Sequence, residues 1–557
     1  MADQFPSSEQ ARLIANAAQG RSALIISGPG SGKSRTALEI ARQTVRSFPS
    51  ENFQEVLFLS FSNAAINRLA ASAGIHFVSV DKYRLRFMTF HSCAAELLSR
   101  YGRFVGLPPR GRVTDKLEER LIAIDSGWAE NDPGYDSNLM SLAKSDGILT
   151  FDTLLPLAIS LLRGSTTLRN ILARRYPLIM VDEFQDTSEK QWLFLQQLGA
   201  AVQVIALGDP NQIIYSSLHS ATERRLEEFA AWKGVQADRS LTCNHRCSQA
   251  KILEFAGCLL TASRFDIRNS GPVKFGKMYR NQLRAELALL WKRIQEKIGG
   301  GQTIGILLPS NKLVEDVAAG LRNPPAGSGV HFPVYARVAR DDAAYDAVML
   351  AIGACRDYAE SPTEITARKA ALALLAMNAS WDSRATTTKA RLDEIAVELL
   401  KNKAGDATSI GQFLSSSLRE DLAKAVSKLV DALAELRAFK RCARRIDAHP
   451  AITRWHIRRV DEQLPMFDDL RAHRIPKGLC GYESFEGKTH VLTYNKAKSR
   501  EFDYVVMVVD PREESGKTPI DEKRRLYYVT ATRARKWLGV IYFGNELGPV
   551  LGPVLHG

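Results

Sequence analysis

A glycine-rich turn near the start of the chain carries residues suited to binding phosphate. An apolar run from Ala23 to Ile26, typical of a buried strand, leads into the sequence SGPGSGKS at positions 27–34. The glycines leave backbone N–H groups free to surround a phosphate chain, and a helix that starts after the loop adds partial positive charge. Lys33 can reach the terminal phosphates, and the Ser34 hydroxyl can hold Mg²⁺. The predicted nucleotide contacts of this loop are Gly28, Pro29, Gly30, Ser31, Gly32, Lys33, Ser34 and Arg35.

A pair of acidic residues follows a second apolar run. Leu178 to Val181 reads as a buried strand and delivers Asp182 and Glu183 to its carboxyl end, where open α/β sheets bind ligands. Asp182 can hold Mg²⁺, and Glu183 can take a proton from an attacking water; phosphoryl transfer needs both beside the terminal phosphate. The alternative is a solvated acidic turn, which the apolar run and the upstream loop disfavour.

Bulk composition limits the class of protein. The 557 residues are too many for one core, so several domains are expected. A formal charge of +14 favours a polyanionic partner, nucleic acid first. The seven cysteines are odd in number and scattered, which favours reduced thiols in a cytoplasmic protein. The N-terminus lacks a signal-peptide pattern, and the apolar runs are too short to span a membrane.

Strand and helix patterns alternate along much of the chain. Strands are predicted at 56–60 and 204–207, with a helix from about 64 to 73, and this order indicates a parallel sheet covered by helices. A polar segment from about 97 to 150 interrupts it. A second α/β region has predicted strands at 303–308, 490–493, 504–509 and 539–543, separated by a long helical stretch at about 345–470.

Taken in order, these motifs resemble those of the UvrD/Rep/PcrA helicases of superfamily 1, over about residues 4–545. The resemblance rests on FPSSEQ at 5–10, the phosphate loop, SFSNAA at 60–65, TFH at 89–91, DEFQD at 182–186, GDPNQIIY at 208–215, LTCNHRCS at 241–248, NKAKSREFD at 495–503 and YYVTATRAR at 527–535. The family tolerates a small residue where Ser27 stands. The resemblance implies an α/β fold with two RecA-like cores, each with a mainly helical insertion.

The resemblance also implies roles for single residues. Gln10 would read adenine, Gln212 would sense the terminal phosphate, and Arg246 and Arg533 would stabilise transition-state charge from the second core. The remaining implied nucleotide contacts are His245 and Glu501, and the implied DNA contacts are Phe61, Asn63, Thr89, His91 and Tyr215. Phe61 and Tyr215 would stack on unpaired bases, with ordinary core aromatics as the alternative.

Some positions depart from the family. His245 stands where the family has a tyrosine that stacks on adenine, and Ser216-Ser217-Leu218 replaces an aromatic platform after Tyr215. Motif V differs at Asn495, Ser499 and Arg500. The ATPase residues are therefore expected to be intact and the DNA track altered. CxHxC at 243–247 also suggests a metal site, but no second pair lies nearby.

The implied function is an ATP- and Mg²⁺-dependent helicase or translocase on single-stranded DNA, moving 3′-to-5′. The expected domains are a first core (1–96 and 151–239) with insertion 97–150, and a second core (240–344 and 472–557) with insertion 345–471. Eight Lys and Arg residues at 437–459 could hold the duplex of a fork, or form a solvated helix face. The alternatives are a DNA-sensing ATPase that regulates a partner nuclease, as in Gabija-type antiphage systems, and a stand-alone repair or plasmid-maintenance helicase.

Overall fold

A computed structural model describes most of the chain. It covers residues 5–49, 53–77, 79–128, 132–214, 224–279, 302–310, 313–314, 317, 334–337, 342–381, 388–401, 408, 410–414, 422–435, 439–447, 489–498, 500–514 and 518–556. Tyr215, the linker at 323–329 and most of the basic segment at 437–459 lie outside these residues. The chain divides into two compact units: Met1–Val105, Leu154–Ala339 and Phe485–Gly557 form the larger, and Gly106–Thr153 and Arg340–Ser484 the smaller.

The strands are numbered in chain order. They are β1 (Ala23–Ile26), β2 (Val56–Ser60), β3 (Leu85–Thr89), β4 (Arg112–Val113), β5 (Ile148–Leu149), β6 (Leu178–Asp182), β7 (Gln203–Gly208), β8 (Ala237–Asp238), β9 (Val273–Met278), β10 (Ile304–Leu308), β11 (Val334–Arg337), β12 (Thr489–Thr493), β13 (Phe502–Val509) and β14 (Ala534–Phe543). Each strand predicted from the sequence is present; the bounds differ by two residues at most, except for β14, which begins five residues before the predicted start.

The helices are also numbered in chain order. They are α1 (Ser8–Ala18), α2 (Lys33–Ser47), α3 (Asn63–His76), α4 (Ser79–Lys82), α5 (Phe90–Tyr101), α6 (Lys116–Ser126), α7 (Tyr135–Asp146), α8 (Phe151–Gly164), α9 (Thr166–Arg175), α10 (Glu189–Leu198), α11 (Arg224–Lys233), α12 (Ala250–Thr261), α13 (Asp342–Glu360), α14 (Glu364–Trp381), α15 (Lys389–Lys401), α16 (Leu422–Glu435), α17 (Lys440–Asp447), α18 (Tyr494–Ala497), α19 (Pro511–Glu514), α20 (Ile520–Ala531) and α21 (Gly548–His556). No described helix has the length and apolarity to cross a membrane.

Two parallel sheets form the framework of the larger unit. Among the described residues the first sheet has the strand order β3-β2-β6-β7-β1-β8, and the second has β11-β12-β10-β13-β14-β9. The central strands are apolar and almost fully buried, since helices cover both faces of a parallel sheet. The α/β fold class is thus confirmed. We call the two sheets with their helices the first core and the second core.

The register of the first sheet brings the motifs to one edge. Ser60 pairs with both Asp182 and Thr89, Val181 pairs with Ala206, and Ile26 pairs with Gly208, so five strands end at nearly the same level. The phosphate loop leaves β1 at this edge, and the acidic pair ends β6. The strands therefore place the loop and the carboxylates side by side.

The smaller unit is helical and draws on two distant parts of the chain. Leu117 and Ile124 of α6 are buried in the same hydrophobic cluster as residues of α13, α14 and α15. Arg120 Nη1 donates to Ser380 Oγ at 2.8 Å. Residues 97–150 and 345–471 are predicted from the sequence as two insertions, whereas α6 and the later helices share one hydrophobic core in the structure.

Candidate active site

The phosphate loop has the backbone that close approach to a ligand requires. Gly30 and Gly32 have φ of +77° and +86°. A Cβ at Gly32 would lie 2.6 Å from Gln10 Nε2 and 3.6 Å from His245 Cδ2, so both predicted base-reading residues border this part of the loop. Ser27, which departs from the strict motif, is buried, and its Oγ lies 2.7 Å from Ser31 Oγ. Its hydroxyl therefore forms part of the loop's internal bonding.

Lys33 is the first residue of α2, and its ammonium group lies within the loop. Its Nζ donates to the carbonyl oxygens of Ser27 and Gly28, the latter at 2.9 Å. Burial lowers the pKa of Lys33, although the carboxylates of Asp209 and Glu183 act in the opposite direction. A cation held by carbonyl oxygens can exchange them for phosphate oxygens.

The two carboxylates at the end of β6 differ in their electrostatics. Burial and the neighbouring Glu183 raise the pKa of Asp182. Burial also acts to raise the pKa of Glu183, but Lys498 and Arg68 outweigh it and hold the pKa at about 2. Glu183 has φ of +52°, a conformation that side-chain-bearing residues rarely adopt and that costs on the order of 1–3 kcal/mol. Such strain at an ionised carboxylate is typical of functional sites.

The segment 244–246 packs on the phosphate loop from the other side. Asn244 Nδ2 donates to Pro29 O at 2.6 Å, and His245 N donates to Gly30 O at 2.8 Å. Arg246 Nη2 lies 2.7 Å from Glu501 Oε1, while its buried Nη1 has no hydrogen-bond partner among the described residues. An unsatisfied guanidinium donor indicates room for an anionic ligand.

Arg533 reaches the first core from the loop that precedes β14. It is 1% exposed, and its Nη2 lies 3.3 Å from Gln212 Oε1. Gln212 Nε2 in turn donates to Asp209 Oδ2 at 2.7 Å. Burial and the nearby Arg246 lower the pKa of Arg533. The guanidinium stays charged, because arginine does not deprotonate in proteins.

A cavity of about 310 Å³ collects these groups between the two cores. Its walls include most of the predicted catalytic and nucleotide-binding residues: Pro29, Gly30, Ser31, Gly32, Lys33, Ser34, Arg35, Asp182, Glu183, Gln212, His245, Arg246, Glu501 and Arg533. Gln10 and Gly28 do not line it. Gln10 is buried behind Gly32, and a Cβ at Gly28 would lie 3.8 Å from Tyr528 Oη.

The predicted DNA contacts follow β2 and β3. Phe61 and His91 are half-buried, and Asn63 begins α3. Thr89 is 8% exposed, and its hydroxyl accepts from Ser92 N at 3.1 Å, so it caps α5. This hydrogen bond gives the Thr89 hydroxyl a structural role that does not require DNA.

Several residues in or beside the cavity were not predicted from the sequence. Arg68, Leu69 and Ser72 of α3 line the cavity, and Arg68 Nη2 lies 3.4 Å from Asp182 Oδ2. Lys498, buried after α18, forms an ion pair with Asp186 and donates to Gln212 O at 2.8 Å. Arg68 could have been found from its position on α3, the helix that follows β2 at the edge of the sheet where the phosphate loop and the acidic pair lie. Nothing local in the sequence marks the partner of Lys498.

A nucleotide triphosphate and Mg²⁺ fit the residues present. The two glycines form a cradle that a Cβ would fill, and Arg246 offers an unpaired donor. Ser34 and Asp182 line the same cavity and supply the oxygen ligands that Mg²⁺ prefers. Among the described residues no group of three or more His, Cys, Asp or Glu could hold a metal. The CxHxC segment is therefore no such site: Cys243 is exposed, and Cys247 Sγ donates to Gln249 O.

Comparison with known proteins identifies the family. Residues 7–133 and 129–230 match the UvrD/REP helicase N-terminal domain, and residues 488–541 match the UvrD-like helicase C-terminal domain. The chain belongs to the UvrD/Rep-like family of superfamily 1 helicases, as the motifs indicated.

Individual relatives are distant. ATP-dependent DNA helicase Rep of Escherichia coli (strain K12) is 22% identical over 280 residues, which cover 42% of this chain and 41% of the relative. ATP-dependent DNA helicase srs2 of Schizosaccharomyces pombe is 26% identical over 303 residues, covering 43% and 33%. ATP-dependent DNA helicase PcrA of Leuconostoc citreum is 24% identical over 236 residues, covering 34% and 31%. The matched region thus spans less than half of each of these relatives.

Proposed function

We propose that this protein is an ATP-dependent DNA helicase or translocase that moves on single-stranded DNA and hydrolyses ATP between its two cores. The observation that carries the proposal is the cavity, which combines a phosphate loop and carboxylates of the first core with Arg246 and Arg533 from the second-core side. Related proteins named as ATP-dependent DNA helicases and the chain's positive charge support DNA as the track. A 3′-to-5′ direction follows from the family resemblance alone.

The side chains divide the work of phosphoryl transfer. Lys33 and the loop N–H groups hold the phosphates, and the base lies on the side of the loop where His245 lines the cavity and Gln10 is buried beside Gly32. Ser34 and Asp182 would hold Mg²⁺, which would neutralise phosphate charge. Glu183, ionised at neutral pH, accepts the proton of the attacking water.

The second-core arginines respond to the nucleotide. Arg246 and Arg533 contact developing charge on the transferred phosphoryl group, a task for a planar and permanently charged donor. Both already touch polar groups of the protein, Glu501 and Gln212 respectively. Exchange of these partners for phosphate draws the cores together, and hydrolysis reverses it.

The first test separates nucleotide chemistry from fold. Lys33→Ala should abolish ATP hydrolysis in a folded protein, whereas Lys190→Ala, an exposed lysine of the same core, should not. Steady-state hydrolysis and melting temperature of each variant are the measurements. A folded Lys33→Ala protein with wild-type turnover would remove the assignment.

The second test addresses the motor. Strand displacement on 3′-tailed and 5′-tailed duplexes, with and without ATP, should show opening of the 3′-tailed substrate only. DNA-stimulated hydrolysis without strand displacement would instead favour a DNA-sensing regulatory ATPase. Displacement of the 5′-tailed duplex alone would reverse the proposed polarity.

A further inference from the structure

Arg68 lies in the cavity without a role in the scheme above. It is in the second turn of α3, four residues before Ser72, so the two side chains share one helix face towards the cavity. Ala65, Leu69 and Ala73 of the same helix are at most 2% exposed and fix it against the sheet. The position of Arg68 is therefore set by a well-packed helix.

The contact between Arg68 and Asp182 is a loose one. Arg68 Nη2 lies 3.4 Å from Asp182 Oδ2, and the arginine side chain is 29% exposed. Two other arginine–carboxylate pairs of the larger unit, Arg175–Glu55 and Arg246–Glu501, have N···O distances of 2.7 Å. Charge-assisted hydrogen bonds normally have this shorter length.

The partner of Arg68 is the carboxylate best placed for Mg²⁺. A divalent cation on Asp182 would repel a guanidinium at the same oxygen. Arg68 would then turn to another anion: the carboxylates of Glu183 and Glu501 act on it electrostatically, and the phosphate loop lines the same cavity.

The charges along the cavity wall favour a phosphate as that anion. Among the described lining residues, the cationic side chains are Lys33, Arg35, Arg68, Arg246 and Arg533, and the carboxylates are Asp182, Glu183 and Glu501. This leaves an excess of two positive charges, which suits a triphosphate that stays anionic after it binds Mg²⁺. Removal of Arg68 would halve the excess.

We propose that Arg68 binds the terminal phosphate of the nucleotide, and that it exchanges Asp182 for this phosphate when a divalent cation occupies Asp182. The proposal rests on the proposed function, because it needs a nucleotide in this cavity. It makes Arg68 a first-core counterpart of Arg246 and Arg533, on a helix that begins at the predicted DNA contact Asn63.

The test compares nucleotides that differ by one phosphate. Arg68→Met keeps the length of the apolar stem, and Arg42→Met on α2, which removes an arginine paired with Glu39, is the matched control. Equilibrium affinities for fluorescent ADP and for a non-hydrolysable ATP analogue are measured with Mg²⁺. Arg68→Met should lose about tenfold or more in affinity for the triphosphate and much less for the diphosphate. Arg42→Met should match the wild type for both.

A second measurement examines the exchange itself without nucleotide. Mn²⁺ binding, followed by electron paramagnetic resonance, should be tighter in Arg68→Met than in the wild type, because the competitor for Asp182 is gone. Arg68→Lys keeps the positive charge but lacks the planar guanidinium, so its triphosphate affinity should lie between those of Arg68→Met and the wild type. It also provides a second variant in case Arg68→Met does not fold.

Each outcome decides a separate question. An unchanged ratio of triphosphate to diphosphate affinity in folded Arg68→Met, or equal losses for both nucleotides, would overturn the phosphate role. Unchanged Mn²⁺ affinity would overturn the exchange with Asp182. Failure of the wild-type protein to bind either nucleotide would instead defeat the proposed function.

Discussion

The ion pair between Lys498 and Asp186 allows a quantitative test of how the two cores are joined. Asp186 follows β6 of the first sheet, and Lys498 follows α18 after β12 of the second. The side chains are only 6% and 2% exposed, for the lysine and the aspartate respectively. Lys498 also donates to Gln212 O at 2.8 Å, whereas Asp186 Oδ1 has no hydrogen-bond partner among the described residues.

Asp186→Asn should destabilise the larger unit by up to about 3–5 kcal/mol, because the buried Lys498 ammonium loses its ion-pair partner and only Glu183, which it does not contact in an ion pair, still acts on it as a counter-charge. Lys498→Met should cost a similar amount for the converse reason. The double variant carries neither charge of this pair, so its loss should be smaller than the sum of the two single losses by about 2 kcal/mol or more.

Calorimetry of the wild type, both single variants and the double variant completes this cycle, provided that the transitions of the two units are resolved. Lys498→Arg, which keeps the charge, is the control. Losses that add within about 0.5 kcal/mol would mean that the two charges do not stabilise each other, and would refute the reasoning.

Four further predictions test other parts of the molecule. Glu183→Gln should retain ATP binding and lose turnover, because an amide cannot accept the proton of water; loss of binding would point to a structural role. Gly30→Ala should abolish nucleotide binding, since its Cβ would lie 2.6 Å from Arg246 Cβ at a φ of +77°; wild-type affinity would contradict the loop geometry. Ile124→Ala should destabilise the smaller unit by about 2–5 kcal/mol, as judged by its melting transition, and an unchanged transition would argue against a common core. Burial raises the pKa of Glu501, but Arg246 and other arginines lower it to about 2, so its stabilisation is complete above the ordinary value of 4.5 and is lost as pH falls towards 2. The melting temperature of Glu501→Gln should therefore depend less on pH than that of the wild type between about pH 4.5 and pH 2. If both proteins show the same pH dependence, the Glu501 carboxylate is not its cause.

Local sequence patterns predicted the central strands well because of how parallel sheets are buried. The strand predicted at Val56 to Ser60 has the same bounds in the structure, and its five residues are all buried. The edge strands β3 and β9 were not predicted, since LRFMT and VKFGKM mix charged and apolar residues. An edge strand is buried on fewer sides, and its apolar signal is correspondingly weaker.

Only those site residues that directly follow a strand could be located from the sequence. The rule that ligands bind at the carboxyl edge was enough to place Asp182 and Glu183 beside the phosphate loop. The partners of Arg68 and Lys498 could not be predicted in this way, because they lie 114 and 312 residues away in sequence. The predicted role of Thr89 stays untested, and the capping of α5 gives its hydroxyl a local function.

Three cationic side chains of the second core, those of Arg246, Lys498 and Arg533, lie close to the first core. In this structure each is held by a polar group of the protein: Arg246 by Glu501, Lys498 by Asp186 and Arg533 by Gln212. Arg246 and Arg533 line the cavity, and a nucleotide can strengthen contact between the cores through them only by the difference between its own bonds to these arginines and the bonds it replaces. That difference is smaller than the sum of the phosphate contacts, so the cores can separate again once the terminal phosphate leaves. Glu501 and Gln212, the partners of these two arginines, would then set how far ATP shifts the balance, and their substitution should alter coupling as well as stability.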